Sequence, residues 1–215
     1  MTKKEVRARI EEIGILPAIR VSTPELARYA GEAVNRAGIP IAEVTMTVPG
    51  AIDVISYLAQ SFPEMIVGAG TVLDTETARR CLDAGACFLT SPGLLLEVVE
   101  FAAKHEVAVL PGALTPTEVI TAWKAGADFI KIFPCAQVGG DSYIRALKVP
   151  LPQVSLIASG GVNQQTAVNF ILAGATALGV GEALIPNEAL RLRQEERINE
   201  LARRFISFVS SARGR

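Results

Sequence analysis

The feature that most constrains this chain is a short repeat. Ala-Gly followed by Ile or Ala recurs at Ala37, Ala84, Ala125 and Ala173, at intervals of about 40 to 50 residues. Each copy follows an amphipathic run and precedes a β-rich one, the position at which glycine ends a helix in the left-handed conformation that other residues resist. The interval is too long for one strand and helix and suits two, so each must hold a second strand-helix unit. Strand-like runs stand where they are required: GILPAIR, IAEVTM, MIVGAG, CFLTSP, VAVLPG, DFIKIF, SLIASG and ALGVG, between Gly14 and Gly181. Amphipathic runs such as TPELARYAGEAVNRAG, TETARRCLDAG and NQQTAVNFILAG separate them.

Eight parallel strands alternating with helices predict an α/β fold, a single (β/α)8 TIM barrel over about residues 15–186 within one domain of residues 1–215. An open doubly wound sheet rarely carries so regular an eightfold alternation. The flanks, residues 1–14 and the run from Asn187 to Arg215, read as extra N- and C-terminal helices. In the second of these Ile198, Leu201, Phe205 and Val209 recur at helical spacing and form one face, and the arginines read as a solvated one.

Composition narrows the function classes. Half the chain is apolar and its net charge is −1, so there is a core to bury and no basic field to draw it onto nucleic acid or anionic lipid. The first residues, MTKKEVRARIEEIG, alternate in charge without an apolar segment, and no run of about 20 apolar residues follows. A cytoplasmic protein with no nucleic-acid or membrane partner is expected. Cys81, Cys87 and Cys135 are odd in number and lack CxxC spacing, which suggests packing thiols rather than disulfides or a zinc site. The one histidine, His105, sits at an apparent helix end. No metal is expected from clustered histidines, although a carboxylate-only magnesium site stays open.

In a barrel the chemistry gathers at the carboxyl ends of the strands. Standing there are Arg20, Glu43, Thr45, Thr71, the TSPG run from Thr90, PGALT from Pro111, Lys131, Ser159, Gly160 and Gly161, and GVGE from Gly179 to Glu182. In ADFIKIFP, Phe129, Lys131 and Phe133 share one strand face and Ile130 and Ile132 the other, which points Lys131 into the barrel. A buried amine is tolerated when it loses its proton or pairs with a carboxylate, and Glu43, on one face with Thr45 and Thr47, is the available partner. A neutral lysine amine attacks carbonyl carbon, and a nearby carboxylic acid shuttles protons; together they are the minimum apparatus for Schiff-base catalysis. The competing reading is an ion pair that only fills the barrel. Arg20, Thr71 and Ser159 bring more polar groups to the same mouth than packing needs. The glycine turns at Gly160-Gly161 and Gly179 to Gly181 present backbone N–H groups suited to an oxyanion.

Seven motifs in order between residues 15 and 186, EVTMTVP, GAGTVLD, SPG, PGALTPTE, FIKIFPCAQVGG, ASGGV and GVGEALIP, resemble the 2-keto-3-deoxy-6-phosphogluconate (KDPG) aldolases, also described as 4-hydroxy-2-oxoglutarate aldolases. The resemblance implies a barrel assembled as a homotrimer. It also implies a metal-independent class I lyase of carbohydrate metabolism that binds a small 2-keto acid and releases pyruvate and an aldehyde, with no cofactor beyond a covalent imine on Lys131. By the same resemblance Glu43 is the general acid and base, Thr71 meets the pyruvyl carboxylate, Pro92 shapes the pocket and Phe133 lines it.

Two positions depart from the family pattern. Thr47 stands where many members carry an arginine, which leaves Arg20, at the end of the first strand, to hold the carboxylate. Glu182 stands where members often have serine, close to the expected phosphate position beside Gly181, so phosphorylation of the substrate is left open. The alternatives are a sugar-phosphate isomerase or epimerase on the same barrel, and a non-catalytic sugar-acid-binding barrel.

Overall fold

The computed structural model describes residues 1–214. Its first helix, α1 (Lys3–Ile13), begins in a capping box. The Thr2 hydroxyl accepts from the Glu5 N–H, and the Glu5 carboxylate accepts from the Thr2 N–H; Gly14 then closes the helix at φ 68°. Strand-helix units follow: β1 (Ile15–Ile19), α2 (Pro24–Arg36), β2 (Ile41–Thr45), α3 (Ala51–Ser61), β3 (Ile66–Gly70), α4 (Thr75–Asp83), β4 (Phe88–Thr90) and α5 (Leu96–Lys104). The second half has β5 (Ala108–Leu110), β6 (Gly112–Ala113), α6 (Pro116–Lys124), β7 (Ile130–Ile132), α7 (Asp141–Lys148), β8 (Leu156–Ser159), α8 (Ala167–Leu172) and β9 (Ala177–Val180). Two more helices, α9 (Asn187–Arg191) and α10 (Glu195–Ala212), end the chain.

The Ala-Gly repeat does what its spacing requires. Its alanines cap α2, α4, α6 and α8, every second helix, and Gly38, Gly85, Gly126 and Gly174 all take positive φ, between 88° and 106°.

All strand pairs are parallel, and the order is β5-β4-β3-β2-β1-β9-β8-β7-β6. The two edge segments, β5 and β6, are separated in sequence only by Pro111. They are one strand of the expected eight, broken where proline offers no N–H to the ladder. The Pro111 carbonyl still accepts from the Lys131 N–H at 2.9 Å, and the Val109 carbonyl accepts from the Asp128 N–H at 3.0 Å. The break therefore joins both edges of the sheet and brings it nearly to closure as a TIM-barrel-like fold.

One end of the barrel is plugged. The rings of Phe88 and Phe129 are fully buried, and Gly68 makes room for the first, since any Cβ there would run into the Phe88 ring. Helix α1 lies at this amino end: Lys3 Nζ pairs with Asp128 Oδ2 at 3.1 Å, and the Arg7 guanidinium sits 5.6 Å from the Phe129 ring centre. Any site must then open at the opposite end.

The C-terminal segment differs from the single expected helix. It breaks into α9 and α10, and α10 packs on α2 and α8 with Ile198, Ala202, Phe205 and Val209 buried, while Leu201 is only half-buried. Arg36 of α2 ties it down, donating from Nε to Glu195 at 2.7 Å. The arginines are not all a solvated face: the Arg213 guanidinium is tucked in, donating to the carbonyls of Glu12 (2.9 Å) and Thr176 (2.6 Å). Arg215, included in the expected helix, lies outside the described residues. His105 caps α5, its Nδ1 2.8 Å from the Phe101 carbonyl and its ring stacked on Phe101. The three cysteines are free thiols, and burial pushes those of Cys81 and Cys135 up to about 11.

Candidate active site

The two ions singled out in the sequence meet inside the barrel. Lys131 Nζ donates to Glu43 Oε1 at 3.3 Å and Oε2 at 3.5 Å. Lys131 is 9% exposed and Glu43 3%, so this is a buried pair rather than a surface contact. The alternation of β7 holds: Lys131 and Phe133 both line the cavity, with the ammonium 5.8 Å from the Phe133 ring centre, and Ile130 and Ile132 are packed in the core.

Neighbouring strands make room for Glu43. It pairs in register with Ala18 of β1 and Gly68 of β3, and the next inward position on β3 is Gly70. A Cβ at Gly70 would sit 2.7 Å from Glu43 Cδ and closer still to Oε1. Thr45 stands at the carboxyl end of β2, as expected. It is fully buried, its hydroxyl donates to the Ile19 carbonyl at 3.1 Å, fastening β2 to β1 below Arg20, and lies 2.7 Å from the Thr47 hydroxyl.

A cavity of about 420 Å³ opens above the pair. Every residue expected to bind substrate lines it: Arg20, Thr71, Pro92, Phe133, Ser159, Gly160, Gly161, Gly181 and Glu182. Thr71 is held at φ 58°, a left-handed conformation that costs a β-branched residue on the order of 1–3 kcal/mol. The chain leaves it pinned, since the Val72 N–H donates to the Thr90 carbonyl at 3.0 Å. The Pro92 wall is set from both sides, by the Ser91 hydroxyl donating to the Gly93 carbonyl at 2.7 Å and by Gly112, where a Cβ would strike the Pro92 carbonyl. Gly179 leaves space for Ser159, whose Oγ would be 2.8 Å from a Cβ there. Gly160 and Gly161 both take positive φ, 83° and 84°, which turns the backbone along the cavity rim.

Arg20 is exposed at the rim and has no carboxylate partner among the described residues. Glu182 is also exposed; its Oε1 accepts from Asn187 Nδ2 at 3.5 Å. Asn187 lines the cavity from the start of α9 and was missed in the sequence, as were the apolar walls Val21, Val162 and Ile185. Apolar loop residues look the same whether they face a core or a ligand, and nothing near Asn187 marks a chain that turns back over the barrel. Among the described residues no three His, Cys, Asp or Glu side chains come together as a metal cage, and no helix is long and apolar enough to cross a membrane.

A family model for KDPG and KHG aldolase matches residues 6–201. The KHG/KDPG aldolase of Escherichia coli K12 is 31% identical over 192 residues, covering 89% of this chain and 90% of that protein. The 2-dehydro-3-deoxy-phosphogluconate aldolase of Pseudoalteromonas atlantica is 28% identical over 193 residues, 90% of either chain. Among solved structures, the KDPG aldolase of Legionella pneumophila with pyruvate captured at low pH as a covalent carbinolamine superposes with a TM-score of 0.84 at 30% identity, covering 91% of this chain and 95% of that one.

Proposed function

The chain belongs to the KDPG and KHG aldolase family, whose members are aldehyde-lyases, and we propose that it cleaves a 2-keto-3-deoxy sugar acid or 4-hydroxy-2-oxoglutarate to pyruvate and an aldehyde through an imine on Lys131. The observation that carries this reading is the buried contact of Lys131 Nζ with Glu43 Oε1 at 3.3 Å, at the floor of a cavity open to a small acid.

The steps follow from these positions. Attack needs a free amine, and the Glu43 carboxylate is placed to take a proton from the Lys131 ammonium. The amine adds to the C2 ketone of the substrate, giving a carbinolamine. Its hydroxyl leaves as water with the proton that Glu43 returns, and a protonated imine remains. Glu43, again a carboxylate, takes the proton of the C4 hydroxyl; the C3–C4 bond breaks and its electron pair passes to the imine nitrogen, giving an enamine and the free aldehyde. Protonation at C3 and addition of water then release pyruvate and restore the amine. The imine is the electron sink.

The other groups take roles by position. The Arg20 guanidinium is the rim cation suited to the substrate carboxylate, and the Thr71 hydroxyl donates to the same group. Pro92 and Phe133 wall the pyruvyl half, and the turn at Gly160 and Gly161 with Ser159 faces the departing aldehyde. An isomerase or a passive binder does not need a nucleophilic amine at the cavity floor. The test is pyruvate release, coupled to lactate dehydrogenase, from 4-hydroxy-2-oxoglutarate and from phosphorylated and unphosphorylated 2-keto-3-deoxygluconate. Release by the wild type and none by Lys131→Met supports the reading, and no release from any substrate defeats it.

A further inference from the structure

We infer that Glu182 makes the distal end of this site favour a neutral, hydroxylated sugar-acid tail over a phosphorylated one, an inference that rests on the aldolase reading above. Four charged side chains line the cavity among the described residues: Lys131, Glu43, Arg20 and Glu182. The first two neutralise each other at the floor. Arg20 is then the one remaining cation, and the α-carboxylate common to all 2-keto acids takes it.

The position of Glu182 places the tail. It stands two residues beyond the end of β9 (Ala177–Val180), at the carboxyl end of the barrel, on the wall of the same cavity as Lys131. The barrel below the amine is blocked by Phe88 and Phe129, so the part of a substrate beyond C4 runs outward, toward Glu182. Pro17 pairs with Val180, which puts Glu182 about level with Ile19 and next to the strand that ends at Arg20. The two rim charges nonetheless form no ion pair with each other, and among the described residues the one hydrogen bond on the Glu182 carboxylate is that from the Asn187 amide at 3.5 Å.

A phosphate in this position meets the exposed Glu182 carboxylate, and the backbone N–H groups of Gly160, Gly161 and Gly181 on the same cavity wall carry no full positive charge to offset the repulsion. Hydroxyl groups of a sugar-acid tail instead donate to that carboxylate and to the side-chain oxygen of Asn187. The exclusion is a repulsive element, the kind of device by which a site separates two otherwise similar substrates.

Two measurements keep the inference separate from the reading beneath it. Exchange of the pyruvate methyl hydrogens in deuterium oxide, without any aldehyde, reports the enamine, and its absence sinks the aldolase reading itself. Where exchange occurs, condensation of pyruvate with D-glyceraldehyde and with D-glyceraldehyde 3-phosphate is compared in the wild type, Glu182→Gln and Glu182→Ser. The wild type is expected to prefer the unphosphorylated aldehyde in kcat/KM, and both variants to shift the ratio toward the phosphate by about tenfold or more. A wild type that prefers the phosphate, or a ratio that neither substitution moves, overturns the inference and leaves the aldolase reading standing.

Discussion

Gly70 holds the space into which Glu43 folds. Because a Cβ there would lie 2.7 Å from Glu43 Cδ, the second and third strands are matched, one supplying the carboxylate and the other the absence of a side chain. What would be displaced is the end of a flexible side chain, not backbone. Gly70→Ala is therefore expected to lower kcat by about 100-fold, the scale of a catalytic group displaced by about an ångström. Stability should fall by no more than ~1–3 kcal/mol. Steady-state kinetics beside urea unfolding separate the two, and a variant with full kcat contradicts the placement of Glu43.

The buried pair makes opposite predictions for single and double substitutions. Lys131→Met removes the nucleophile and strands the Glu43 carboxylate, which should cost about 3–5 kcal/mol of stability along with all activity. Lys131→Met combined with Glu43→Leu replaces the pair by apolar groups and should recover most of that loss without recovering turnover. Denaturant midpoints of the three proteins check this.

Thr71 sets conformational strain against function. Glycine takes φ 58° freely, so Thr71→Gly should hold or raise stability by up to about 1 kcal/mol while the lost hydroxyl raises KM for the keto acid. A Thr71→Gly protein that melts well below the wild type speaks against the strain.

The eight strands were legible because the Ala-Gly repeat marks helix ends, and Lys131 was legible because a charge in an apolar strand has few explanations. The break of the fifth strand at Pro111 was not foreseen: proline in VAVLPG reads as a strand end, and only closure of the sheet shows that the chain continues on the other edge. The bonding of Thr45 was not legible for a related reason. Its parity matches that of Glu43, yet at the strand end its hydroxyl finds the Ile19 carbonyl before it reaches the cavity. Asn187 and the C-terminal break are long-range features, set by where α9 lands on the barrel.

The thiols should be silent. Burial raises all three cysteines, Cys81 and Cys135 to about 11, so at pH 8 they remain protonated and poor nucleophiles. Iodoacetamide at that pH should modify the native protein slowly and leave its activity intact, while the urea-unfolded chain reacts at all three. Rapid inactivation would implicate a thiol in the site.

The most direct test of the central claim is borohydride reduction in the presence of pyruvate, followed by peptide mass mapping. One stable pyruvyl adduct per chain on Lys131, absent without pyruvate and lost in Lys131→Met, is the predicted result. No adduct, or an adduct on another lysine, contradicts it.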